Sequence, residues 1–214
     1  VTGAAHPPGL PGPGADDLLL LIDVQNDFCP GGALAVPDGD AVVPVINALA
    51  PHFAHVAATQ DWHPAGHTSF AASHPGRAAF TTLQLAYGEQ VLWPAHCVQG
   101  TIGAGFHPGL RLDACELIVR KGFRPAIDSY SAFFENDRAT PTGLAGYLRE
   151  RGIQRLFLAG LATDFCVAWS AIDAARLGFT ATVLLEACRA IDTDGSLARA
   201  RAAMAQAGVR TYPA

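Results

Sequence analysis

Lysine is almost absent from this chain: 13 of its 14 basic residues are arginine, and Lys121 stands alone. Charged residues make up 15% of the 214 positions, the formal net charge is -5, and no run of Lys or Arg occurs. The electrostatic footprint of a nucleic-acid binder is therefore missing. Long apolar runs are missing as well, since the stretch Leu18 to Ile22 is far short of the roughly 20 residues that cross a bilayer. The residues ahead of it, Val1 to Asp17, are rich in glycine and proline and lack the basic start and apolar middle of a signal peptide. They read as a flexible arm over 1–17. Cysteine is sparse and odd in number, five in a long chain, which argues against a disulfide framework and for a reducing compartment, the cytoplasm.

Half of the residues are apolar, and a chain of this length buries roughly 70% of its unfolded surface, so a metal would be present for chemistry rather than for folding. Apolar runs bounded by turn residues predict strands at Leu18 to Val24, His55 to Gln60, Leu117 to Arg120, Arg155 to Ala159, Thr180 to Leu185 and Val209 to Tyr212. Helical patterns fall between most of them: from an Asp40 cap to about Phe53, then Gly143 to Arg151, Phe165 to Leu177 and Ser196 to Ala207. This alternation predicts a single-domain α/β fold over 18–214, a doubly wound, mostly parallel six-stranded sheet in the order 3-2-1-4-5-6 with helices on both faces. The segment from Asp61 to Ala114, dense in His, Pro, Gly and Trp, reads as a functional insertion.

Ligands of such sheets bind beyond the carboxyl ends of the strands, where the strand order reverses. Asp23, Asp61, Lys121 and Cys166 all fall at or just after predicted strand ends. No glycine-rich turn follows the first strand, so a dinucleotide site is not expected. Cys166 lies in the turn from the fourth strand into a helix that Thr163 or Asp164 would cap, where the helix N-terminus favours a thiolate. Taken alone it is equally a small buried hydrophobe, the reading given to Cys29, Cys97, Cys115 and Cys188. Asp23 and Lys121 are placed to serve as base and positive charge beside it, or as a structural ion pair. So strong a bias toward arginine suggests that position 121 calls for an amine; the bland reading is one lysine left on a solvated surface. Asp61 and His63 face the same way in an extended segment, and His96 at the far end of the insertion could close a site suited to Fe(II), Zn or Mn. His67 is open between a fourth ligand and a hydrogen-bonded neighbour, whereas His6, His52, His55, His74 and His107 read as satisfied surface or core residues.

Six segments together, Ile22 to Phe28, Thr59 to Pro64, Trp93 to Val98, Arg120 to Gly122, Asp128 to Phe133 and Gly160 to Val167, resemble the nicotinamidase/pyrazinamidase family of isochorismatase-like cysteine hydrolases, over nearly the whole chain from Leu18 onward. The resemblance implies a triad of Cys166, Asp23 and Lys121, an oxyanion site at the N–H groups of Ala162 and Cys166, and metal ligands Asp61, His63 and His96. It also implies an aromatic pocket of Phe28, Trp93 and Tyr130 beside a cis Leu161-Ala162 peptide. The implied activity is hydrolysis of nicotinamide, and of pyrazinamide, through a cysteine thioester, in NAD salvage, with one divalent ion, Zn or Fe ahead of Mn. The partner is then a small-molecule amide, without nucleic acid or membrane, and a homo-oligomer is compatible. Two departures from the family pattern are the arm before Asp17 and Phe165 where some relatives carry His. Another small-amide or carbamoyl/ureido hydrolase of the family remains an alternative, as does a noncatalytic protein that binds metal or nicotinamide.

Overall fold

A computed structural model describes residues 12–213; most of the arm expected over 1–17 lies outside the described residues. The first strand, β1 (Asp17–Ile22), is buried along its whole length, as a strand covered on both faces must be. It begins one residue inside the expected arm, because Asp17 is itself buried and its carboxylate receives the Arg155 guanidinium across the neighbouring strand. β2 (His55–Asp61), β5 (Cys115–Lys121), β6 (Arg155–Leu161), β7 (Thr180–Arg189) and β8 (Arg210–Tyr212) complete a parallel sheet in the order β5-β2-β1-β6-β7-β8. Counted along the chain, this is the expected order 3-2-1-4-5-6. Helices α1 (Val42–Leu49), α2 (Leu144–Glu150), α3 (Ala168–Arg176) and α4 (Ser196–Gln206) fill the connections, with α1 packed against β6 and β7, and α3 against β7 and α4.

The chain runs outward from β1 to β5 on one side, then crosses back to place β6 on the other side of β1. The order thus reverses between β1 and β6, and a crevice opens at their carboxyl ends. β1 stops at Ile22 rather than Val24 because Asp23 turns into the left-handed region at φ 47°. β7 runs to Arg189, past the expected end at Leu185. A register shift between Leu158 and Gly160 lets the ladder resume at Cys188. Gly160, at φ 126°, permits a close approach to β1: a Cβ there would lie 2.1 Å from the Ile22 carbonyl oxygen.

Asp40 caps nothing. It lies in a 3-10 turn, Gly39–Ala41, and α1 starts from Ala41 without a side-chain cap. The insertion after β2 contains an antiparallel hairpin absent from the expectations, β3 (Thr82–Leu85) and β4 (Gly88–Val91). Its strands are only four residues each and half-exposed, too short to stand out as alternation. Among the described residues no helix is long and apolar enough to cross a membrane.

Candidate active site

Four strand ends deliver four side chains to the crevice. Asp23 follows β1, Asp61 ends β2, Lys121 ends β5, and Cys166 lies five residues beyond β6. The lone lysine is not on the surface. Lys121 is 1% exposed, and its ammonium sits 2.8 Å from Asp23 Oδ2, 2.8 Å from Asp61 Oδ1 and 2.8 Å from the Ser129 carbonyl, with the Cys166 thiol at 3.4 Å. Burial works against its charge, but the two carboxylates outweigh burial and hold the ammonium well above the ordinary lysine range. Asp61 responds oppositely: burial alone would raise it, yet Lys121 and His63 keep it well below the usual carboxylate range. Asp23 is fully buried, and burial, aided by Asp61 and opposed by Lys121, makes it hold a proton more readily than an ordinary aspartate. Its other oxygen accepts from Thr59 Oγ1 at 2.6 Å, and its backbone N–H donates to that same hydroxyl.

The thiol of Cys166 differs from expectation. The turn after β6 is a π-helical turn, Thr163–Val167, entered from extended Ala162, and neither Thr163 nor Asp164 caps it. The Asp164 carboxylate instead accepts from the backbone N–H groups of Ile191 and Asp192 and from the Ser196 hydroxyl, which binds the loop after β7 to the turn that carries Cys166. Burial dominates at Cys166 and, with Asp23 and Asp61 nearby, pushes the thiol well above its ordinary value in spite of Lys121. Burial therefore favours the neutral thiol, and Asp23 meets the same Lys121 ammonium that contacts the sulfur. The thiol proton thus has an adjacent acceptor, which suits general-base activation on substrate arrival better than a standing thiolate. Leu161-Ala162 is a cis peptide, as the resemblance implied.

Beside this cluster, Asp61 Oδ2 faces His63 Nε2 at 3.1 Å and His96 Nε2 at 3.7 Å. The two imidazoles are held alike, each pairing its Nδ1 with a backbone carbonyl at 2.8 Å, Gly122 for His63 and Pro94 for His96. Such pairing fixes ring orientation and turns the Nε2 lone pair of each ring toward the Asp61 carboxylate, the usual support of metal-bound histidine. One carboxylate oxygen and two imidazole nitrogens within 4.8 Å of one another fit a divalent transition metal with open positions. Gly122 is required here, because at φ 65° a Cβ would lie 2.5 Å from the His63 ring. His67, Asp128 and His63 also converge. His67, however, engages Ser69 through Nδ1 and the carbonyls of Arg124 and Ile127 through Nε2, and stacks on His63 at 4.3 Å. His67 thus packs behind the His63 ring and belongs to the His63, His67 and Asp128 group.

Phe28, Trp93, Tyr130 and Ala162 line a narrow cavity that reaches Cys166, Asp61 and His96, joined by Phe165 and Asp128; Leu161 contributes the backbone before Ala162 rather than cavity wall. Of the remaining cysteines, Cys29, Cys97 and Cys188 are buried, while Cys115 is half-buried, and burial raises the thiol pKa of all four. His55, His74 and His107 bond to Glu116, the Thr68 carbonyl and the Gly109 N–H, away from the site. His6 lies outside the described residues.

Sequence reading missed several supports. Thr59 had a signal, being two residues before Asp61 and so on the same face of β2. Gln25, which brackets the Asp61 backbone by donating to its carbonyl and accepting from its N–H, had none, nor had the buried Gln90 of β4. Gln90 donates to the Asp128 carboxylate and to the Tyr130 hydroxyl.

Comparison with known proteins agrees with this geometry. A family model described as "Isochorismatase domain" matches residues 17–212. A nicotinamidase of Acinetobacter baylyi is 56% identical over 192 residues, covering 90% of each chain. Among solved structures, a nicotinamidase/pyrazinamidase of Acinetobacter baumanii superimposes with a TM-score of 0.92 at 55% identity, over 92% of this chain and 96% of its own. A pyrazinamidase of Pyrococcus horikoshii in complex with zinc does so with a TM-score of 0.73 at 34% identity, over 92% and 98%.

Proposed function

This chain belongs to the isochorismatase domain family, and on that footing we propose that it hydrolyses nicotinamide to nicotinate and ammonia through a thioester on Cys166, and that it accepts pyrazinamide. The observation that carries the reading is the buried junction of Cys166, Asp23 and Lys121 at the floor of an aromatic cavity. Asp23 takes the thiol proton as sulfur attacks the carboxamide carbon. The oxyanion is received by the backbone N–H groups of Ala162 and Cys166. Ammonia departs with the proton returned from Asp23. Water, deprotonated by Asp23, then opens the thioester and frees the acid. Lys121 offsets the negative charge that accumulates on the Cys166–Asp23 pair.

Asp61, His63 and His96 would hold one divalent ion, zinc, iron or manganese. When bound, it supplies a Lewis-acid contact to a ring nitrogen and so orients the ring. Elemental analysis is expected to find one ion per chain in active protein. The His63→Ala, His96→Ala double variant, which leaves the Asp61–Lys121 pair in place, should lose the ion and bind substrate weakly while staying folded, because the core does not depend on metal. Active protein free of Fe, Zn and Mn would contradict this assignment. The five free cysteines support a reducing, cytoplasmic setting.

Ammonia release decides the activity. Nicotinamide and pyrazinamide should both be turned over, and prior alkylation of the protein should stop the reaction. Benzamide has the same ring shape without the nitrogen. A site with a polar group left unpaired by an analogue discriminates by up to ~10⁴-fold, which refilling by water softens to about 10²-fold in kcat/KM. Benzamide turned over within a few-fold of nicotinamide would show that the pocket merely sandwiches an aromatic ring.

A further inference from the structure

The cavity above Cys166 measures about 20 Å³, room for little more than one water molecule. A six-membered ring enters it only if a wall gives way. A second cavity of about 410 Å³ lies next to it, bounded by Phe80 of the insertion, Trp169 and Ile172 of α3, and Ala203 of α4. Among the described residues only Trp93 and Phe165 line both cavities.

These two partition residues are held very differently. Trp93 is 3% exposed, donates from Nε1 to the Tyr130 hydroxyl at 3.0 Å, and bonds through its backbone to Ser69 and Ala71, both at 2.8 Å. Tyr130, the next wall, is fixed in turn by Gln90 at 2.9 Å. The half-buried Phe165 ring has no polar anchor. Its recorded ring contacts are edge-on, to Trp93 at 4.9 Å and to Tyr130 at 5.6 Å, and it has open volume behind it. Among the ring walls Phe165 is therefore the one with both the freedom and the space to change rotamer.

We propose that Phe165 is the gate of the active-site pocket: its ring turns out into the larger cavity to open the way to Cys166 and turns back to close it. The free volume of that outer cavity then sets how readily the thiol is reached. For nicotinamide as the entering ring, the inference rests on the activity proposed above; for access to the thiol it does not.

Ala203 provides the test, because it is exposed on α4, at the outer cavity and away from the reacting groups. Ala203→Trp would occupy the space that the Phe165 ring needs, and Ala203→Leu would occupy part of it with a good helix former, in case the larger residue perturbs folding. The primary readout is the rate at which iodoacetamide alkylates Cys166, followed by peptide mapping, since that displacement of iodide by sulfur needs no turnover. Phe165→Ala should speed alkylation at least about tenfold, and Ala203→Trp should slow it about fivefold or more, with Ala203→Leu between the latter and the parent. In the Phe165→Ala background, Ala203→Trp should change the rate by less than about twofold, a non-additivity expected only when the two residues act through one space. kcat/KM for nicotinamide should follow the same order for the two Ala203 variants. Equal slowing in both backgrounds, or no slowing in either, overturns the gate. If alkylation follows the expected pattern but the parent releases no ammonia from nicotinamide, the gate stands and the substrate assignment falls.

Discussion

Replacing Cys166 by alanine is expected to reduce ammonia release from nicotinamide to background, a fall of at least about 10⁴-fold, because removal of a covalent nucleophile leaves only binding and oxyanion stabilisation. The protein should remain folded. The Ser170 hydroxyl bonds to the Cys166 carbonyl rather than to its sulfur, so alanine keeps the polar tie that anchors the turn to α3. The thiol interacts with Lys121 at 3.4 Å, but that ammonium retains Asp23, Asp61 and the Ser129 carbonyl. A stability change of about 1–2 kcal/mol is therefore the most that the substitution should bring. The measurement pairs an ammonia assay with a urea titration on the same preparation. Folded Cys166→Ala protein with parental ammonia release would exclude the thioester route.

Lys121→Met is expected to be worse for the fold than for any single contact, because it removes the cation shared by two buried carboxylates while keeping most of the side-chain volume. Breaking a buried pair by deleting one partner costs about 3–5 kcal/mol, and here Asp23 and Asp61 are 0% and 4% exposed. The sign of the pH dependence follows from the same loss. Without the ammonium, Asp23, which burial already raises, holds its proton more tightly folded than unfolded, so the folded state gains relative stability as pH falls. The deficit should be widest near neutral pH and narrow under mildly acid conditions. Urea titrations of parent and variant across that range measure it, and a difference below about 1 kcal/mol at pH 7 would mean that the ammonium is not the keystone that its burial indicates. Lys121→Arg should not rescue activity, since a planar fork does not fit a pocket built around a compact point charge.

The sequence exposed these residues because polar side chains ended apolar runs: Asp23 after Leu18 to Ile22, Lys121 after Leu117 to Arg120. Parallel strands and the order of their crossovers were legible for the same reason, since β1, β2 and β6 are apolar enough to be covered on both faces. Proton placement was not legible. The N-terminal turn suggested a thiolate at Cys166, but burial and two nearby carboxylates, contributed by β1 and β2, outweigh that local effect. Nor could spacing reveal that Asp61 divides its oxygens between Lys121 and the two imidazoles. Asp164 shows the same limit: a residue placed to cap a turn reaches a loop 27 residues away instead. Local chemistry gave the candidates, whereas long-range packing decided their partners.

The solitary lysine turns the buried cluster of Asp23, Asp61 and Cys166 into its own reporter. Side-chain acylation by an amine-directed reagent has one target in this chain, and that target is 1% exposed between two carboxylates. A lysine-specific protease likewise has one bond to cut. Both reactions can proceed at Lys121 only in the fraction of molecules whose centre has opened, so their rates give the free energy of that opening without a spectroscopic label.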